Sequence, residues 1–127
     1  MTSIEITSFG YLHGAPPDGA HLTLDLRHHF RDPHINPALR EMTAHDPQVR
    51  VAVIDTPGIT SLIGATVSAV EAFASGPRQG PVRVAVGCAG GRHRAATVAM
   101  VLAHRLTRPG NTVTLTHLDL GKAVVHR

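Results

Sequence analysis

The sequence predicts an α/β fold: a single domain with a mixed, mostly parallel sheet of about four strands, flanked by helices. Three observations predict it. Segments at 2–9, 21–26, 82–86 and 112–116 alternate apolar and polar residues or concentrate β-branched ones. Ala/Val/Leu-rich segments between them carry apolar residues at helical spacing. Residues 82–116 read as strand, glycine turn, helix and strand, an order that requires two parallel strands joined by a right-handed crossover.

Taken in order, Thr2–Phe9 sets Ile4 and Ile6 against Glu5 and Thr7, a first strand stopped by Gly10. Residues 11–19 form a loop ending in Pro16-Pro17-Asp18-Gly19. His21–Leu26 places Leu22, Leu24 and Leu26 on one face as a second strand, which runs into the polar loop Arg27–His34. Asn36-Pro37 closes that loop, and Leu39-Arg40 leads to Thr43. Asp46-Pro47 is a good helix cap and first-turn pair, yet the VRVAVI that follows has strand propensity, so local pattern leaves 46–55 open. Thr56-Pro57-Gly58 starts a helix that reaches Ala74 through Ile59, Leu62, Ile63, Val70 and Phe73, and Asp55 reads as a helix-start residue. Residues 75–81 are a surface loop into the central strand of Val82, Val84 and Val86. A helix then spans Gly91–Arg105, Pro109-Gly110 stops it, and Thr112–Thr116 is a last strand. The segment 117–127 has no period and is expected to fray.

A chain of 127 residues sustains one modest core, and its 43% hydrophobic and 17% charged residues exclude wholesale disorder. With no tryptophan and 3% aromatics, stacking platforms are excluded as the main mode of nucleic-acid recognition. The formal charge of +3 is compatible with phosphate-bearing partners; Lys122 is the only lysine, so the base is arginine, the better bidentate phosphate ligand. Cys88 is the single cysteine, which rules out an internal disulfide and fits a reducing cytoplasm. No signal pattern and no apolar run of about 18 residues is present, so a cytoplasmic protein without membrane contact is expected. Histidine is abundant, but His28-His29-x4-His34 lacks helical ligand spacing and no cysteine pair accompanies it, so neither a metal nor a cofactor is expected.

The densest signal lies in Val82–Leu106. The central strand breaks at Gly87-Cys88-Ala89-Gly90-Gly91, Arg92-His93-Arg94 follow, and then the helix begins. A strand that turns through glycines into a helix leaves N–H groups unpaired at one point. The helix dipole favours an anion there, and glycines allow it close approach. With two arginines and a histidine added, the reading is an anion pocket for a phosphate. Parallel strands would bring Ser8-Phe9-Gly10, Asp25-Leu26-Arg27 and Thr116-His117-Leu118-Asp119 to the same sheet edge, where ligands of open α/β sheets bind.

Two chemistries fit this loop. Cys88 and Arg94 have the Cys-x5-Arg spacing of cysteine-dependent phosphatases, in which a thiolate attacks phosphorus and the arginine clamps oxygens; Asp55 would be the general acid. Against it, Gly87 stands where those enzymes usually carry His, and Ala95 stands where a hydroxyl usually assists the thiolate. The other chemistry, favoured here, is recognition without reaction. Cys88, Ala89, Gly90, Gly91, Arg92, His93 and Arg94 would hold a phosphate, while Asp25, Arg27, His34 and Asp119 address hydroxyl or amino groups.

A series of segments occurs in order: Ser8-Phe9-Gly10-Tyr11, Asp25-Leu26-Arg27, Asp32-Pro33-His34, Leu39-Arg40 with Thr43 and Asp46, Gly87-Cys88-Ala89-Gly90-Gly91-Arg92-His93-Arg94, and His117-Leu118-Asp119-Leu120. The series resembles the C-terminal domain of the RNase adapter RapZ (YvcJ-type nucleotide-binding) family across nearly the whole chain, so 1–127 is taken as one such domain. The resemblance implies a fold related to a sugar-phosphate-binding subdomain of phosphofructokinase-type proteins, and a helix over 46–55. It also implies glucosamine-6-phosphate sensing at Asp25, Arg27, His34, Arg40, Gly90, Gly91, His93 and Arg94. In some members small regulatory RNAs are bound and handed to an endoribonuclease, so RNA is an expected partner in the alternative reading of this domain as an RNA-binding module. Full-length members begin with a P-loop NTPase domain. No G-x-x-x-x-G-K-[ST] motif occurs here, so nucleotide hydrolysis is expected to be absent or to belong to another chain, and a separate NTPase or nuclease is an expected partner. Relative to the family, Ala89 and Ala95 replace loop hydroxyls, and the basic cluster associated with RNA is reduced to Lys122 and Arg127.

Overall fold

The computed structural model describes residues Met1–Arg127. Strands β1 (Thr2–Gly10), β2 (Leu22–Asp25), β3 (Val82–Cys88) and β4 (Asn111–His117) form one sheet in the order β2-β3-β1-β4. Every pairing is parallel, so the expected mixed character is replaced by an all-parallel sheet. The strands on either side of the glycine turn are parallel as their order requires. They are not neighbours, however: β1 lies between them, with Ile4 paired to Val82 on one side and to Val113 on the other.

The helices are α1 (Pro37–Arg40), α2 (Pro47–Ile54), α3 (Ile59–Ala74) and α4 (Arg94–Leu106), with a 3₁₀ turn at Pro33–Ile35. Residues 47–54 are helical despite their strand propensity, because Val49 and Val53, one turn apart, both enter the core. Asp55 closes α2, and the left-handed Gly58 at φ 94° caps α3, so Asp55 ends one helix rather than starting the next. The two helices meet at 84°, and no single helix is long and apolar enough to cross a membrane. Helix α4 begins at Arg94 rather than Gly91, because the glycine turn continues through His93.

One sheet face is apolar and carries the helices. Ile4, Ile6, Val82, Val84 and Val86 pack against Val49 and Val53 of α2, Ile59, Ile63, Val67 and Val70 of α3, and Val98, Leu102 and Leu106 of α4. Each fully buried Val, Leu or Ile contributes about 1.5–3 kcal/mol, so this layer supplies most of the stability. The β2-to-β3 and β3-to-β4 crossovers run the same way along the sheet, and right-handedness puts both on this face. The β1-to-β2 connection runs the opposite way, so its Pro17, Asp18 and Ala20 lie by Glu5, Thr7 and Ala85 on the polar face. All four carboxyl ends therefore meet at one edge.

Candidate functional site

At that edge, glycines let backbones meet. A Cβ on Gly87 would stand 2.4 Å from the Phe9 ring, which packs on Tyr11 at 4.8 Å between centroids. The residue before Cys88 is thus glycine because two aromatics fill the space a side chain would need. A Cβ on Gly10 would lie 2.5 Å from the carbonyl carbon of Gly90, so the end of β1 and the turn after β3 are in direct backbone contact. Gly91 has φ 77°, and its N–H donates to Cys88 Sγ at 3.3 Å. Tyr11 and Leu12 donate to the carbonyls of Cys88 and Ala89, carrying the β1–β3 ladder into the turn. His93 precedes α4 without a side-chain cap, which leaves the first-turn N–H groups of that helix uncapped by it.

Beside this turn is a narrow cleft walled by Asp32, His34, Cys88, Gly90, Arg92, His93, Arg94, Val124, Val125 and Arg127, with a void of only about 10 Å³. Arg94 is 3% exposed. Its Nη1 donates to the carbonyls of Leu26, Arg27 and Phe30 at 2.9, 3.2 and 3.4 Å, and its Nη2 pairs with Asp32 at 3.2 Å. The expected clamp is therefore, first, a tie between the start of α4 and the loop after β2. Arg92 is tied similarly, to the carbonyls of Lys122 and Glu41. Yet the Nε–H groups of both arginines are buried with no partner, and both residues wall the same cleft.

Six of the twelve expected site residues line this cleft: His34, Cys88, Gly90, Arg92, His93 and Arg94. Ala89 and Gly91 belong to the turn behind it. Asp119, expected to address the ligand, is buried behind Gly10 and Gly91, where it accepts the Gly10 N–H at 2.7 Å and pairs with Lys122. Asp25 and Arg27 pair with each other outside the cleft, the guanidinium lying 3.6 Å over the Tyr11 ring. Arg40 donates to the His34 carbonyl and so positions the 3₁₀ turn that carries His34. Asp55 lies exposed at the end of α2, not among the residues walling the cleft around Cys88, and Cys88 itself is 2% exposed; the phosphatase acid is not placed at the thiol.

Sequence reasoning missed Asp32, Val124, Val125 and Arg127. Asp32 was visible as the residue that caps the Pro33–Ile35 turn, accepting the His34 N–H. The other three lie in the segment expected to fray, which instead lies against the cleft.

Burial would raise the Asp32 carboxyl, but the His34 N–H and the Arg94 and Arg127 charges outweigh it and hold it below its ordinary value. The Arg27 guanidinium hydrogen-bonded to Asp25 draws that carboxyl down to about 2. Burial lowers His93, whose Nε2 donates to the Met42 carbonyl at 2.8 Å; burial also lowers His34, where Arg127 adds repulsion, and His117, beside His45. Each imidazole thus has a folded-state value below its ordinary 6.5, and the unfolded chain binds more protons. Their contribution to stability is complete above 6.5 and is lost as pH falls through the lowered values. The melting temperature is expected to fall as pH is taken from about 7.5 to about 5, with His93→Gln flattening the slope; a flat wild-type profile contradicts this.

Comparison with known families matches residues 2–121 to the RapZ C-terminal domain. A protein of Kocuria rhizophila named "Nucleotide-binding protein" is 37% identical over 123 residues, covering 94% of this chain and 40% of its own. Proteins of the same name from Arthrobacter sp. and Thermobifida fusca are each 38% identical, over 94% and 92% of this chain and 39% and 40% of theirs. The chain thus spans about two-fifths of the length of these relatives. With the ordered motifs, the all-parallel sheet and a match over almost its whole length, the chain belongs to the RapZ C-terminal domain family.

Proposed function

We propose that this domain binds the phosphate of a small metabolite, an amino-sugar phosphate of the glucosamine-6-phosphate type, in the cleft at the carboxyl end of β3. The observation that carries the reading is the pair of buried, unpartnered Nε–H donors of Arg92 and Arg94 beside a glycine turn. A buried charged donor without an acceptor is costly, and an anionic oxygen satisfies it with a charge-assisted hydrogen bond. Three guanidinium groups against the single carboxylate of Asp32 favour a dianion over a neutral sugar. The His34 ring makes no hydrogen bond within the protein, and its lowered pKa keeps it a neutral acceptor for an amino or hydroxyl group.

Glucosamine-6-phosphate at roughly 100 times its Kd is expected to add about 2.7 kcal/mol and to raise the melting temperature by several degrees, whereas glucosamine does not. His34→Ala is expected to weaken that shift while leaving the ligand-free melting temperature nearly unchanged. A shift with nucleoside monophosphates and none with the sugar phosphate reassigns the cleft to nucleotides. The absence of a shift with any phosphate overturns the reading.

A further inference from the structure

After the buried Leu120 the chain turns at the exposed Gly121, and residues 123–127 then make no backbone–backbone hydrogen bond to the rest of the protein. They nonetheless wall the cleft. Val124 and Val125 line it, and a Cβ on Gly90 would lie 3.9 Å from the Arg127 guanidinium. That guanidinium pairs with Asp32 at 2.5 Å, the same carboxylate oxygen that Arg94 approaches at 3.2 Å. The void left beneath has room for about one water molecule, too little for a tetrahedral anion.

We propose that residues 123–127 are a closing strap, an autoinhibitory contact in which Arg127, parked on Asp32, shuts the cleft until an anion draws it away. The idea rests on the cleft's reading as an anion site. The strap is the wall that can move at least cost: the turn is locked by glycine contacts, and α4 by the core. One partly exposed ion pair and two half-buried valines hold it, and an entering dianion competes on both sides of that pair, attracting Arg127 and repelling Asp32.

Cys88, the only thiol in the chain, lines the cleft and reports on closure. Under native conditions a chain stopped after Lys122 is expected to react with iodoacetamide roughly tenfold faster than the whole chain, with full-length Arg127→Ala in between. Melting curves of all three check that the acceleration is local. Inorganic phosphate at millimolar concentration is expected to slow labelling of the shortened chain by occupying the opened cleft, and to do so at lower concentration than in the whole chain, where the strap must first be displaced. Equal rates for all three proteins overturn the strap. Faster labelling of the shortened chain that phosphate does not slow keeps the strap as a steric closure and overturns the anion as its opener. Protection by phosphate with no effect of shortening keeps the anion site and overturns the strap.

Discussion

Arg94→Ala is expected to lower stability by about 3–5 kcal/mol, because three backbone carbonyls and a half-buried carboxylate lose the one buried guanidinium that ties them together. In melting temperature this is about 10–20 °C for a domain of this size. The side chain is 3% exposed and serves four acceptors: the carbonyls of Leu26, Arg27 and Phe30, and the Asp32 carboxylate. The loop it holds contains His29 at φ 72°, a left-handed conformation that needs its surroundings to persist. Removing the guanidinium strands three carbonyls and leaves Asp32 with Arg127 as its only charged partner. Arg94→Lys is expected to recover only part of the loss, since an ammonium cannot span the carbonyls and the carboxylate together. Asp32→Ala is expected to cost less in the Arg94→Ala background than in the wild type, because the two side chains share one ion pair whose loss is then counted once. Urea unfolding measures both, and a loss below about 1 kcal/mol for Arg94→Ala contradicts the tie.

Gly91→Ala is the second large effect, at about 3 kcal/mol. About 1–2 kcal/mol comes from forcing a Cβ into the left-handed region at φ 77°. About 1–3 kcal/mol comes from overlap, since that Cβ would stand 2.8 Å from the Gly10 backbone nitrogen and 2.9 Å from Asp119 Cβ. Gly110→Ala is the control: φ is 91°, but nothing lies within 4 Å of its Cβ, so only the conformational penalty applies. The difference between the two variants in urea isolates the backbone contact between β1 and the turn. Relief of the overlap would also move the Gly91 N–H off Cys88 Sγ, so faster alkylation of Cys88 should accompany the loss. Equal destabilisation at the two glycines contradicts the packing account.

Much of this site is legible in the sequence. Alternation at 2–9, β-branching at 82–86 and the glycine run at 87–91 each reflect geometry within a few residues: the two-residue strand period and the turn's need for positive φ. Helix 47–54 was not legible from propensity, because what makes it helical is the burial of Val49 and Val53 against other elements. Asp119 was expected at the ligand because it ends a strand at the right edge. In the fold it is buried by the backbone N–H of Gly10, 109 residues away.

By itself the sequence determined the parallel strand-turn-helix unit, the arginines and glycines at its bend and the family it belongs to, all written in local spacing and ordered motifs. The tertiary structure alone decided what those charges do. Arg94 meets Leu26 across 68 positions and Arg127 meets Asp32 across 95, so their partners leave no periodic trace along the chain. Which arginine ties a loop, which closes a cleft and which N–H is left over depends on how the carboxyl ends of parallel strands are brought together. Only the folded sheet sets that distance.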